Sequence, residues 1–579
     1  MFGKIKHTIN TIRDSIFRRY IAHEIYKSMS LETVRNKIIC CDFIVEADTS
    51  PQDEFELFKY LYAHKNQPFE PYYIINKNCS AYPEIKKQFG NNIIPYSADN
   101  IVEFAFFMRD LFRTTKFICG GFQVLHSLRI GITEAVKRSP YVYSFFTQHG
   151  ITFFKDDFIS QSSYSAFLFD KLMISNDFEK KIFMERACYT EDNLVKNGLF
   201  RWDLLSSDNA EFGKSIFIYF THRRYLKNIP ENELKNTVYV KTISGLLENP
   251  EFQKLVKENG YTLKIALHHS VLQVCGNGLL ENVQILSDDE IAEAKRTSSI
   301  LITDYSSMCF EMWFQHKPSI FLNIPDSEDC LKYNHKTDLA DPYSDKKDYI
   351  FNIVDTVEDC VDKLRYYFNN GFRLTDDEKA KRDKFFYYNG NFCERFYDYL
   401  VNMKDETKVL YHISDSFTDF ARYPNIETFG IEYPSPEGRW IVRRKAYISF
   451  FVPSSDRNLA VQIHYEPYFY YRQYKFFVKV YVNGHKVLAR EIFRPKNDYL
   501  VFEVPKEFIA PDGKIRISFR LSHVYKRKHL KTGTNDPRRL SLRLLDMDIV
   551  DRDYSYKTVG AQMKVIQNER EIDTGEKNV

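Results

Sequence analysis

Four polar clusters in this chain each follow a short apolar run, and their residue types suit phosphate chemistry. The sharpest reads Ser299-Ile-Leu-Ile-Thr303-Asp304-Tyr305-Ser306-Ser307. Its apolar part predicts a strand ending at Thr303. A helix is expected from near Ser306 to Gln315, with Pro318 opening the next strand. Thr303, Ser306 and Ser307 then lie where a strand end meets a helix N-terminus. Backbone N–H groups and the positive helix end favour an anion there, and hydroxyls add hydrogen bonds without adding charge. Helix capping accounts for one such hydroxyl, not three. The second cluster, Gln148-His149-Gly150, follows the run Tyr141–Thr147. An imidazole at a strand end, with an ordinary pKa of about 6.5, can take a proton near neutrality. A structural histidine is the competing reading. The third is His268-His269 after Tyr261–Leu267. Adjacent strand residues face opposite ways, so at most one of the two enters a cleft. The fourth is Thr221-His222-Arg223-Arg224 after Ser215–Phe220. Arginine pairs with two phosphate oxygens at once, although an exposed basic loop is the better reading of this cluster taken alone. No His, Cys and carboxylate spacing supports a metal site.

The elements that must position these groups alternate. Candidate strands Ile38–Val45, Tyr72–Ile75, Phe117–Cys119 and Val142–Thr147 are separated by helical stretches such as Asp53–His64 and Ile101–Arg113. The pattern resumes at Ser215–Phe220 and runs through Thr262–Leu267, Ile300–Thr303 and Ser319–Leu322. Such alternation predicts two α/β, Rossmann-like halves with parallel sheets facing a cleft, where ligands sit outside the carboxyl ends of the strands. After about residue 405 the runs alternate apolar and polar with few helical signals. Asn483-Gly484 and Asp512-Gly513 mark turns between them, which predicts an antiparallel β-sandwich. The segments are 1–35, 36–212, 213–404, 405–555 and a polar tail at 556–579.

Composition narrows the class. The 579 residues carry 81 basic and 78 acidic side chains, a net charge of +3. That balance argues against a nucleic-acid binder. With 44% hydrophobic and 27% charged residues the chain is globular, and no apolar run is long enough to span a bilayer. Ten scattered cysteines without a CxxC pair indicate reduced thiols and a cytoplasmic setting. No secretory signal is expected. Phe2, Ile5, Ile9, Ile12, Ile16 and Phe17 share one helical face, bordered by Lys4, Lys6, Arg13, Arg18, Arg19 and Lys27. That arm suits peripheral contact with an anionic membrane on its inner face, or packing on the protein's own first domain.

At its strand-end clusters the chain resembles the CDP-glycerol glycerophosphotransferase family, the teichoic acid primases and polymerases. Leu301–Ser307, Glu311 and Lys317-Pro318 reproduce that family's most specific stretch. Gln148-His149-Gly150 is similar to its WHG motif with Gln for Trp. Gly198-Leu-Phe-Arg201-Trp-Asp203 is similar to G-x-PR-x-D with Phe200 for Pro. Phe220–Arg223 is similar to PTWR, and His268-His269 to an HP motif lacking the Pro. The resemblance covers roughly residues 50 to 400. It implies a GT-B fold, with an acceptor-side domain over 36–212 and a CDP-donor domain over 213–404. It further implies His149 and His268 as catalytic residues. Thr221, Arg223, Arg201, Thr303, Asp304, Ser306 and Ser307 are implied as donor-binding. The reaction implied is transfer of glycerol phosphate, or a related alditol phosphate, to a hydroxyl of a polysaccharide or lipid-linked glycan, with release of CMP and no metal or other cofactor. The β domain is loosely similar to those appended to bacterial surface-polysaccharide glycosyltransferases, through Asn535-Asp536-Pro-Arg538-Arg539-Leu540. The departures leave two alternatives open. One is a capsule-directed glycosyltransferase or a transferase of another CDP-activated group, and the other is a non-catalytic assembly protein that binds polysaccharide. Tyr465, Tyr468, Phe469, Tyr470, Tyr471 and Tyr474 mark an aromatic stretch suited to sugar stacking or to a sandwich core. Lys526, Arg527, Lys528 and Lys531 form a basic run.

Overall fold

The computed structural model describes residues 20–21, 24–25, 36–42, 52–65, 67–96, 100–120, 142–148, 150–154, 169–186, 189–205, 210–221, 223, 225–226, 229–267, 283–332, 343, 346–403, 416–417, 426–432, 435, 437–452, 457–468, 476–492, 497–526 and 539–551. The calls on His149, His222, Arg224, His268, His269, Phe469–Tyr474, Arg527–Lys531 and 535–538 fall outside these residues, as does most of the N-terminal arm.

The first parallel sheet is built from β1 (Lys37–Cys41), β2 (Glu70–Asn76), β3 (Ile93–Tyr96), β4 (Lys116–Cys119), β5 (Tyr143–Phe146), β6 (Lys171–Ile174) and β7 (Leu194–Lys196). Its strand order is β3-β2-β1-β4-β5-β6-β7. β1 is buried on both faces, which is why it reads as a continuous apolar run. The second sheet comprises β8 (Gly213–Tyr219), β9 (Thr262–Ala266), β10 (Val283–Ile285), β11 (Ser298–Thr303), β12 (Ser319–Leu322) and β13 (Ile353–Val354). Its order, β10-β9-β8-β11-β12-β13, repeats the doubly wound pattern. In both sheets the strand order reverses beside the first strand, between β1 and β4 and between β8 and β11. Ligands of doubly wound folds collect at that point.

One core spans the two α/β halves, and a second lies on the other face of the second sheet. Phe153 meets Phe310 edge-on at 5.2 Å, and Trp202 stacks on Phe314 at 5.0 Å. The helix Phe392–Asn402 returns to the first half, where Phe396 packs on Phe145 and Phe200. Ile21 and Ile25, four residues apart, also pack on this core.

The chain then forms two antiparallel sheets. One is built on β14 (Ser416–Phe417), β16 (Arg439–Trp440), β18 (Leu459–Pro467), β21 (Asp498–Val504) and β23 (Leu542–Asp551). The other runs β15 (Glu427–Phe429), β17 (Lys445–Phe451), β22 (Lys514–Leu521), β19 (Phe476–Val482), β20 (His485–Ile492). Their inner faces enclose a separate core that includes Ile448, Val480, Ile517, Leu500 and Leu544. Asn483 and Gly484 both have positive φ (45° and 94°), as a tight β19–β20 hairpin requires. Tyr465 and Tyr468 are buried in this part, with Tyr468 edge-on to Trp440. Among the described residues no helix is long and apolar enough to cross a membrane. The described cysteines are buried.

Candidate active site

The strand end at β11 departs from the expected helix start. Ser306 Oγ accepts a hydrogen bond from Met308 N at 3.2 Å, which holds the chain in a turn, and the helix begins only at Cys309. Ser306 therefore caps a turn between strand and helix, and Ser307 lies within that turn. Thr303 is fully buried, and its hydroxyl has no hydrogen-bond partner among the described residues. The far end of the helix Cys309–Phe314 is held by Arg382, which donates to the carbonyls of Trp313 (3.1 Å) and Phe314 (2.8 Å). Lys317 is buried and donates to the carbonyl of Arg296.

Asp304 is the hub of a clamp across the switch point between β8 and β11. It accepts from Thr221 N at 3.0 Å and from Thr221 Oγ1 at 2.7 Å, and pairs with Arg223 Nη2 at 3.0 Å. Arg223 also donates to the carbonyl of Ile324 at 3.2 Å and lies 4.0 Å from the ring centre of Tyr305. Its side chain is 1% exposed. Burial opposes its charge, but Asp304 outweighs that and keeps the guanidinium ionised. Thr221, Arg223 and Asp304 are thus occupied with one another. They frame the second domain's strand ends, and Arg223 Nε has no hydrogen-bond partner among the described residues.

On the first domain, Thr147 and Gln148 follow β5. Gln148 is buried with φ 66°, an uncommon conformation for a side chain-bearing residue. Two bonds hold it there. Its Nε2 donates to the carbonyl of Met173 at 2.6 Å, and its Oε1 accepts from Thr152 Oγ1 at 2.9 Å. Glu179 lies beneath this turn and is fully buried. It accepts from Thr152 N (2.7 Å), Ser175 N (2.7 Å) and Ser175 Oγ (2.8 Å). Burial pushes its pKa up to about 7, held back by those hydrogen bonds. Gln148, Gly150, Glu179, Asn197 and Gly198 line one small pocket. A second buried carboxylate, Glu54, accepts from the Thr147 hydroxyl. Burial first, then repulsion from Asp42, keeps Glu54 protonated well above its usual range. Neither acid stood out in the sequence. The Asn-x-x-Glu spacing at Asn176 and Glu179 is a helix-start pattern, and it gave no hint of the bonds to the neighbouring loop.

The two turns meet. A Cβ placed on Gly150 would lie 3.1 Å from Ser307 Oγ, so the segment after β5 touches the segment after β11. Nearby, Arg201 bridges the halves. Its Nε and Nη2 reach Glu311 Oε1 at 3.0 and 2.7 Å, and its backbone N–H donates to Asp53 at 2.8 Å. Lys295 pairs with the other Glu311 oxygen. Burial alone would raise the Glu311 pKa, but Arg201 and Lys295 bring it down to about 2. Burial dominates at Asp53, which rises to about 7. Asp203 accepts from Phe392 N and Cys393 N, both at 2.8 Å, and so holds the start of the returning helix. Arg201 and Asp203 are therefore latches between segments. Among the described residues no cluster of three metal-ligating side chains occurs.

Two doubly wound α/β domains with their strand ends turned toward a common seam define the GT-B architecture, followed here by a β-sandwich. Residues 126–402 match the family described as CDP-Glycerol:Poly(glycerophosphate) glycerophosphotransferase. The chain is similar to the minor teichoic acid biosynthesis protein GgaB of Bacillus subtilis (strain 168), at 24% identity over 424 residues, covering 70% of this chain and 43% of that protein. It thus spans less than half the length of that relative. Among solved structures it is similar to the wall teichoic acid polymerase TagF, at 14% identity and a TM-score of 0.43, covering 69% of this chain and 97% of the other. A putative UDP-N-acetylglucosamine 2-epimerase from Listeria monocytogenes gives 12% identity and a TM-score of 0.41, over 65% of this chain and all of the other (100%).

Proposed function

We propose that the protein transfers glycerol phosphate, or a related alditol phosphate, from a CDP-linked donor to a hydroxyl of a teichoic-acid-like or other cell-surface glycan acceptor. The observation that carries this reading is the family match over 126–402, which spans both turns that meet at Gly150 and Ser307. In the reaction the acceptor oxygen attacks the distal phosphorus of the donor. A new P–O bond forms, the bond to the bridging oxygen breaks, and CMP leaves with that oxygen. The acceptor proton passes to His149 and then to solvent. Base assistance of this kind contributes typically ~10²–10⁴-fold. His268 and the hydroxyls of Thr303, Ser306 and Ser307 would face the diphosphate and stabilise the charge that builds on it. Arg223, Asp304 and Thr221 act one layer behind, fixing the strand ends, and Arg201 fixes the seam. The basic amphipathic arm would hold the enzyme at an anionic membrane surface, close to a lipid-linked acceptor.

The test is CMP release from CDP-glycerol and CDP-ribitol with an acceptor glycan, by wild type and His149→Ala. Release with a phosphorylated product, reduced about a hundredfold or more in the variant, is the expected result. Turnover of a nucleotide sugar without CMP release from any CDP donor would make the protein a glycosyltransferase. Polysaccharide binding without any turnover would make it an assembly protein.

A further inference from the structure

The β-sandwich carries a surface for which the chemistry above has no use. In the sheet β15-β17-β22-β19-β20, alternate residues such as Ile448, Ile517 and Val480 enter the core, so those between them point outward. The register aligns Phe429, Tyr447, Ser518 and Tyr481 in one row across four strands. The neighbouring row holds Lys445, Arg520 and Lys479. The rings of Phe429 and Tyr447 stack with centroids 5.7 Å apart and planes 18° from parallel. Each ring of the row carries a guanidinium: Arg443 lies 5.1 Å from Phe429, Arg516 lies 4.4 Å from Tyr447, and Arg520 lies 4.4 Å from Tyr481. Phe429 is 38% exposed and Phe477, on the same face, 53%. Lys445, Lys479 and Arg520 are exposed.

Cations exceed acids on this face. Glu427 is buried, pairs with Lys514 at 3.1 Å and accepts from the Tyr447 hydroxyl at 2.9 Å. Glu491 lies opposite Phe477 at the margin. Exposed lysines often protect a sheet edge, but Lys445, Arg520 and Lys479 stand on the three inner strands of five, where there is no edge to protect. Flat rings offer stacking faces for the C–H surfaces of a polyol or sugar. Guanidinium and ammonium groups beside them meet phosphate oxygens. The rings lie against guanidinium planes rather than projecting, which suits a chain laid along the sheet better than insertion into lipid.

We propose that this face binds an anionic chain of phosphate-linked polyol or sugar units, the growing acceptor, while its end is worked on in the α/β cleft. The identity of the chain as acceptor rests on the proposed function; its chemistry as a phosphodiester polyanion rests on the surface. The full chain would be compared with the variant Lys445→Glu/Lys479→Glu/Arg520→Glu, using labelled poly(glycerol phosphate) in fluorescence anisotropy and CMP release with long and short glycerol-phosphate acceptors. Binding of the long polymer is expected to weaken about tenfold or more in the variant and to fall with salt in wild type. KM for the long acceptor should rise in step, with kcat and turnover of the short acceptor unchanged. Equal binding and equal KM in a variant of unchanged melting temperature would overturn the proposal. So would loss of binding to phosphatidylglycerol vesicles with polymer binding intact, which would make the face a membrane contact. If the triple variant does not fold, Lys479→Gln/Arg520→Gln replaces it, with the same expected direction. Absence of CMP release by wild type would defeat the proposed function alone, and anisotropy would still decide the surface.

Discussion

Glu179 shows how a single buried acid can hold together the loops around a strand end. Its carboxylate gathers the N–H groups of Thr152 and Ser175 from the two loops on either side of the Gln148–Gly150 turn. Holding it there has a pH-dependent cost. The carboxyl ionises near 4.5 in the unfolded chain and near 7 in the folded one. Between those values the native state binds more protons than the unfolded state, so this group's stability contribution is full below pH 4.5 and is lost as pH rises toward 7. The loss amounts to about 3 kcal/mol over the window, taking 1.36 kcal/mol per pKa unit. Glu179→Gln removes the titration, but its amide must face one of the N–H donors, a pH-independent loss of about 1–3 kcal/mol. Urea unfolding of both proteins across this pH range should therefore show the variant weaker at low pH and gaining on wild type by about 3 kcal/mol as pH rises. Parallel curves would mean that the carboxyl is not buried as described.

At the scale of elements, the seam between the α/β halves is held by a few side chains at the segment ends. Arg201, Glu311 and Lys295 form a buried ion network, and removing one partner strands the rest. Arg201→Met should destabilise the chain by about 3–5 kcal/mol in chemical denaturation. A loss in the double variant with Glu311→Gln that is smaller than the sum of the single losses would show that the two act through one contact. Gly198 lies against the returning helix, and a Cβ there would come 2.3 Å from the Phe392 ring. Gly198→Ala should therefore loosen the helix Phe392–Asn402, read as faster amide exchange there than in β8. Much of this scaffold was legible in the sequence. Apolar runs of β1, β8 and β11 announced parallel strands, and Asn483-Gly484 announced its hairpin. What stayed hidden was the partner of each polar residue. Arg223 beside a strand end reads as a phosphate ligand, and sequence cannot show that it also pairs with Asp304, eighty-one residues away. The delayed helix start at Cys309 was hidden for a similar reason, since Ser306 can cap either a helix or a turn.

Among the described residues the main cores are one spanning both α/β halves, one on the other face of the second sheet, and one inside the sandwich. Because Phe153–Phe310 and Trp202–Phe314 contacts tie the halves, they should unfold together, while the sandwich has its own apolar interior and its own transition. Calorimetry of the full chain should resolve two events. A ligand that binds the α/β cleft must stabilise only the event belonging to those domains, by about 2.7 kcal/mol at a hundredfold excess over its Kd. CMP or CDP-glycerol is therefore expected to raise one transition temperature and leave the other in place. A long poly(glycerol phosphate) chain should do the reverse if the cationic face of the sandwich is its seat. Raising both transitions together with CMP alone would show that the sandwich is coupled to the cleft, and that donor binding reaches it through the intervening chain.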